Sequence, residues 1–171
     1  MSVLDHPSGA PDPRRPANDL DDTAPPSTSM VVRPWWDPLL ATTGVDPRSP
    51  YVERYWLGVV GPSAVLLLRR FARGLEEHPE GFRISLADTA RAIGLGAGVG
   101  RQSPINRTID RACLFNTMRR GAADEVQVRT HLPLLNARQL SRLPLAVRNS
   151  HAQWLAQQDE TGPSAPPPRA A

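Results

Sequence analysis

The chain of 171 residues has a single cysteine, Cys113, and no lysine at all among its 20 basic residues. One cysteine cannot form an internal disulfide, so we expect a reducing, intracellular compartment. The longest apolar run, residues 59–68, is interrupted by Gly61-Pro62 and is too short to cross a bilayer. The first thirty residues lack the apolar core of a signal peptide. These absences predict a soluble, cytoplasmic protein with no membrane partner.

The residue spacings of common catalytic and metal sites are also missing. No H-x-x-x-H, C-x-x-C or G-x-S-x-G spacing occurs, and the four histidines are isolated from one another and from Cys113: His6, His78, His131 and His151. The glycine-rich run 94–100 lacks the G-x-G-x-x-G spacing, and it follows a predicted helix where that motif must follow a strand. We therefore expect no catalytic residue, no metal and no cofactor, and do not expect an enzyme.

Charge is unevenly distributed along the chain. Residues 1–50 hold four arginines and seven acidic residues, whereas residues 81–158 hold eleven arginines and four acidic residues. A basic region behind an acidic one indicates a polyanionic partner for the basic region. An alternative is that the arginines only reflect codon bias in a GC-rich genome.

Proline distribution divides the chain into four parts. Residues 1–33 are predicted to form a disordered, acidic, proline-rich tail, and residues 159–171 a second disordered tail. Residues 34–49 form an extended arm containing Trp35 and Trp36, and residues 50–158 form one domain. The two tryptophans are interpreted either as packing across the domain's own helices or as a docking peptide for another protein.

Two successive helices are indicated between residues 85 and 114. Ser85 is suited to an N-cap answered by Asp88, and Gly94 to the stop after the first helix. Ser103-Pro104 gives the N-cap and first-position proline of the second helix. Its apolar residues fall on one side and its polar residues on the other: Asn106, Arg107, Asp110 and Arg111. This pattern is typical of a DNA recognition helix.

A β-hairpin is predicted after the second helix. Residues 115–120 and 126–132 read as strands on either side of a turn at 121–124, with Arg119, Arg120, Arg129 and His131 on the strands. Residues 82–84 are predicted as a short strand that pairs with this hairpin. Further helices begin at Pro50, Pro62, Asn136 and Pro144.

The order helix, strand, helix, helix, hairpin resembles the winged helix-turn-helix superfamily over residues 62–132. The stretch 86–95, with Ala90 four residues before Gly94, looks like that family's first motif helix. The chain is also similar to an uncharacterised protein family of high-GC bacteria. The resemblance implies a mainly α fold with a small β-hairpin, extra terminal helices and disordered tails. The turn of nine residues, 94–102, departs from the usual three or four.

The resemblance implies double-stranded DNA as the partner. Asn106, Arg107, Asp110 and Arg111 would face the major groove, while phosphates would be contacted by Arg101, Gln102, Arg119, Arg120 and Arg129. Ser103 is a further predicted DNA-binding residue. We therefore expect sequence-dependent DNA binding by a transcriptional or replication-type regulator associated with the nucleoid. Two alternatives stay open. Arg107 and Asp110 would simply pair with each other on a solvated helix face, or the domain would be a protein-interaction module or homodimer without DNA binding.

Overall fold

The computed structural model describes residues 28–122 and 124–161, with side chains described up to residue 158; the rest of both predicted tails lies outside this part. The strands are β1 (Ser29–Trp35), β2 (Phe82–Ser85), β3 (Met118–Arg120) and β4 (Glu125–Arg129). The helices are α1 (Pro38–Thr43), α2 (Leu57–Val60), α3 (Pro62–Glu77), α4 (Leu86–Ala92), α5 (Pro104–Leu114), α6 (Ala137–Leu140) and α7 (Leu145–Thr161). A π-helical stretch, Val52–Trp56, leads directly into α2.

The predicted helix starts are confirmed. The Ser85 side chain accepts a hydrogen bond from the backbone N–H of Asp88, and that of Ser103 accepts one from Asn106. Asn136 and Gln139 form a reciprocal capping box at α6. Pro62 is the first residue of α3, as expected of a residue whose missing N–H has no helical partner there. Gly94 has a φ of 76°, the left-handed conformation expected after α4.

The four strands form one mixed sheet in the order β2-β1-β4-β3. β1 is antiparallel to β2 and parallel to β4, and β3 and β4 form the predicted antiparallel hairpin. Helices cover 53% and strands 16% of the structure. The expected fold class, a mainly α winged helix-turn-helix with only a small β-hairpin, is therefore wrong. The 82–84 strand pairs with β1 and not with the hairpin, because β1 lies between them.

β1 begins at Ser29, inside the range that the sequence assigned to a disordered tail. Its alternating residues Met30 and Val32 are buried against the helices. Pro34 lacks an N–H, yet it is accommodated because β2 pairs only with residues 29–32 of this strand. Beyond Val32, the strand therefore needs to satisfy its neighbour on the β4 side alone. Because β1 contains Pro34 and buries only Met30 and Val32, its sequence lacks the longer apolar alternation by which strands are recognised.

The helices α3 and α5 pack on one face of the sheet and bury a single core. Phe71 of α3 and Ile105 and Ile109 of α5 are fully buried together with Val126 and Val128 of β4. Gly74 lets β2 approach α3 closely, since a Cβ at this position would lie 2.3 Å from the ring of Phe82. Each large side chain buried here contributes about 1.5–3 kcal/mol.

The C-terminal helix α7 is held to the π-helical stretch by a buried aromatic cluster. His151 is 3% exposed, and its Nε2 lies 2.8 Å from the hydroxyl of Tyr51. That hydroxyl accepts a hydrogen bond from Leu135 N–H, and its own proton is available to an unprotonated Nε2 of His151. Tyr55 packs edge-on against the imidazole, and the Trp154 ring lies tilted to it with the ring centres 6.4 Å apart. Burial lowers the pKa of His151 below its ordinary value of 6.5, and the neutral ring is the form that fits.

We predict that this histidine makes the fold acid-sensitive well above the range in which carboxylates titrate. A histidine whose folded pKa is lowered stabilises the fold above pH 6.5 and loses that contribution as the pH falls further. Urea unfolding at pH 7.5 and 5.5 should show a loss of up to about 1.4 kcal/mol. The non-titrating variant His151→Gln should have a flatter dependence. Equal slopes for both proteins would contradict the assignment.

Candidate nucleic-acid interface

The helix α5 buries the predicted apolar side, but its polar side is not uniformly exposed. Asn106 is buried, and its side-chain amide donates hydrogen bonds of 3.1 Å to the carbonyls of both Val99 and Gly100. The expectation that Asn106 lies on the outer face of the helix is therefore wrong. Its amide secures the end of the glycine-rich loop, whose carbonyls have no regular secondary structure to bind. Ser103 is likewise buried as the N-cap.

Arg111 is an exposed residue, but its guanidinium is also engaged by the protein's own backbone. Its guanidinium donates to the carbonyls of Val60 at 2.6 Å and Val59 at 2.9 Å, the last two residues of α2. Those carbonyls would otherwise lack partners, because Gly61 breaks the helix with a φ of 88°. Arg111 thus ties α5 to the junction between α2 and α3.

The other two residues of the predicted reading face differ from each other. Asp110 forms an ion pair of 2.7 Å with Arg120 of β3. The alternative pairing of Arg107 with Asp110 is not observed. Arg107 is exposed and forms no side-chain hydrogen bond or ion pair within residues 28–122 and 124–158. Arg101 and Gln102 are exposed on the loop that precedes α5.

Two of the hairpin arginines, Arg119 and Arg129, contact Trp35 of the N-terminal strand β1. The guanidinium carbons of Arg119 and Arg129 lie 4.4 Å and 3.8 Å from the ring centre of Trp35 in β1. Arg129 also donates to the carbonyl of Asn116 at 2.8 Å and forms an ion pair of 2.9 Å with Asp37. The hydrogen bond from Arg129 to the Asp37 carboxylate is the main reason why the pKa of Asp37 is lowered. Of this group, Arg129 is the most enclosed.

The two tryptophans of the arm have different environments. Trp35 is half-buried beneath the two arginines, in accordance with packing on the chain's own domain. The neighbouring Trp36 is 64% exposed, and Leu39 on α1 is 68% exposed. Trp35 and Trp36 therefore do not form one docking element.

Unpaired positive charge is found instead along α3. Arg70 and Arg73 form no side-chain hydrogen bond or ion pair among the described residues, and both line an open groove of about 750 Å3 between α3, β2 and α4. A second, smaller groove of about 310 Å3 lies at the start of α3 beside Arg107. The exposed side of α3 joins the two grooves. We call this region the α3 surface; its residues are Pro62, Leu66, Arg69, Arg70, Arg73 and, from α5, Arg107.

The importance of α3 was only partly visible in the sequence. Its arginines at 69, 70 and 73 lie on one helical side, a pattern equally typical of phosphate contact and of a solvated face. The sequence does not show which of the other arginines are engaged in contacts within the protein. That depends on β1, which places Trp35 and Asp37 beside the hairpin.

The described residues also bear on metal binding, on the reactivity of Cys113 and on membrane spanning. Within residues 28–122 and 124–158, no group of three or more histidine, cysteine or acidic side chains is arranged to hold a metal ion. Burial raises the pKa of the Cys113 thiol, which disfavours the reactive thiolate. None of the helices described is both long and apolar enough to cross a membrane.

No protein-family model, curated protein or solved structure matches the chain.

We predict that Arg129 is a stability residue. Arg129→Ala removes an ion pair, a carbonyl hydrogen bond and the contact with Trp35, and should lower the free energy of unfolding by about 2–3 kcal/mol. The matched control is Arg148→Ala, because Arg148 is exposed and its side chain has no hydrogen bond or ion pair among the described residues. It should change stability by less than about 0.5 kcal/mol. Equal, small effects in urea unfolding would refute this role.

Proposed function

We propose that the protein binds double-stranded DNA through the α3 surface. The observation that carries the proposal is that Arg70 and Arg73 face an open groove with no carboxylate bound to either. A guanidinium fork is suited to bidentate contact with phosphate, and an unpaired one needs no internal contact to break first. The described domain is also basic as a whole, in keeping with a polyanionic partner.

Phosphate contact is better supported than base reading. Asn106 and Arg111, two of the four residues expected in the major groove, are engaged by backbone carbonyls. Arg107 is the one arginine of that set without an internal partner among the described residues. Phosphate contacts fix position on the duplex but carry no sequence information directly. Sequence dependence and a regulatory role in transcription or replication therefore rest on Arg107 and on the loop residues Arg101 and Gln102, and stay predictions.

We predict that Arg70→Ala with Arg73→Ala weakens binding to duplex DNA. Each lost phosphate contact should reduce the log–log salt slope by about 0.9, so the double variant should lose about 1.8 and bind roughly tenfold more weakly at low salt. Fluorescence anisotropy with a labelled duplex at 50 and 200 mM salt measures both quantities.

The matched control removes equal charge from a different surface. Arg138→Ala with Arg142→Ala changes two exposed arginines that line a groove near the end of α5 and α6. It should keep most of the wild-type affinity and salt slope. Equal losses in both double variants would mean that net charge alone acts, and absent or salt-insensitive binding by the wild type would rule out the proposal.

A protein partner is the second candidate, favoured by apolar side chains left in water. Trp36, Leu39 and Leu114 are 64%, 68% and 78% exposed. Tryptophan, the residue type at position 36, is among those enriched at interaction hot spots. If the α3 surface is the DNA site, Trp36→Ser should leave the affinity for DNA unchanged. If DNA and the protein partner used the same site, the substitution would weaken DNA binding.

A further inference from the structure

The larger groove of the α3 surface combines a basic rim with an apolar floor. Four arginines line it, namely Arg69, Arg70, Arg73 and Arg83, against two acidic residues, Glu77 and Asp88. Arg69 is paired with Glu53, Arg83 with Asp124, and Asp88 with Arg91. The groove charges without an ion pair among the described residues are therefore the two positive ones of Arg70 and Arg73 and the single negative one of Glu77, which leaves a net positive charge. Between the charges lie the apolar side chains Leu66, Phe82, Ile84 and Ile93. A ligand suited to this groove carries carboxylates or phosphates around a small apolar group.

The N-terminal end of the described chain lies at one end of this groove. The carbonyl of Thr28 accepts a hydrogen bond of 3.0 Å from the backbone N–H of Leu86, the first residue of α4. Ser29 pairs with Ser85, which itself lines the groove. Arg83, also in the groove lining, donates to the hydroxyl of Ser29 at 3.1 Å. Thr28, the first residue that the structure describes, therefore lies beside the groove.

The chemistry of the residues before Thr28 complements the groove. Residues 1–27 contain five aspartates and two arginines, and three of the aspartates surround one leucine in the sequence Asp19-Leu20-Asp21-Asp22. Five residues separate Asp22 from Thr28, and the six residue-to-residue steps span at most roughly 20 Å. The groove extends along α3 from Leu66 to Glu77, about 16 Å of helix. The acidic segment thus has sufficient reach, and a connection this short gives an effective concentration in the millimolar range.

We propose that the segment 19–22 docks in the groove of α3, β2 and α4, with its aspartates at Arg70 and Arg73 and Leu20 on the apolar floor. The docking follows from the groove and the sequence alone. Its consequence rests on the proposed function: the segment occupies the arginines that would contact phosphates, so the chain limits its own affinity for DNA. A groove occupied for two thirds of the time lowers the apparent affinity about threefold.

The docking is tested without DNA by carbodiimide cross-linking in the full chain. This reagent joins a carboxylate to an adjacent amine, and the protein has no lysine. Arg70→Lys therefore supplies a single side-chain amine inside the groove. Arg148→Lys supplies one on α7, which contributes no residue to the groove. We expect mass spectrometry to find residues 19–22 linked to position 70 and not to position 148. No link at position 70, or equal links at both, would overturn the docking, whether or not the protein binds DNA.

The consequence is tested by the affinity for duplex DNA at low salt. Asp21→Asn with Asp22→Asn should tighten binding about threefold, and the gain should vanish when Arg70→Ala and Arg73→Ala are also present. Asp5→Asn with Asp12→Asn removes the same charge farther from Thr28 and should have a smaller effect. Equal tightening by both aspartate pairs would overturn the inhibition in favour of a general charge effect. A link at position 70 in a chain that does not bind DNA would leave the docking intact and refute the proposed function.

Discussion

The insertion of β1 between β2 and β4 is the constraint on which the surface of this protein depends. It brings Met30 and Val32 into the core and places Trp35 beneath the hairpin arginines. Because Arg129 is held by Trp35, Asp37 and the carbonyl of Asn116, moving it to a phosphate would require breaking three contacts. The same strand therefore completes the sheet and removes the hairpin from the set of available cationic surfaces.

Part of the positive charge that has no internal partner lies on the exposed side of α3. Arg111 is engaged at the end of α2, and Arg120 is paired with Asp110. Arg70, Arg73 and Arg107 are left without such partners in the described residues and share the exposed side of α3 with its two grooves. Exposed ion pairs are individually weak, so Arg69 and Arg83 also remain accessible to a competing phosphate at modest cost.

Local features of the fold were predictable from the sequence, and long-range pairings were not. Ser85, Ser103 and Asn136 indicate helix starts because a capping side chain accepts a hydrogen bond from a backbone N–H within three residues of itself. The hairpin is likewise local. β1 pairs with a strand more than ninety residues away, and its two buried apolar residues followed by Pro34 give no extended periodic pattern. Since β1 determines the partners of Arg119 and Arg129, the error in the fold extended to the site. Similarly, helical periodicity places Asn106 on the polar side of α5 but cannot reveal the carbonyls of the glycine-rich loop that bind its amide.

The division of the arginines into engaged and available groups is the central claim, and side-chain NMR tests it most directly. Uniform 15N labelling of arginine gives one Nε–H signal per side chain, which can be followed as duplex DNA is added. We predict that the signals of Arg70, Arg73 and Arg107 shift with DNA, while those of Arg111 and Arg129 are slow to exchange with water and stay in place. Shifts of Arg129 and Arg119 with no change at Arg70 and Arg73 would contradict the account.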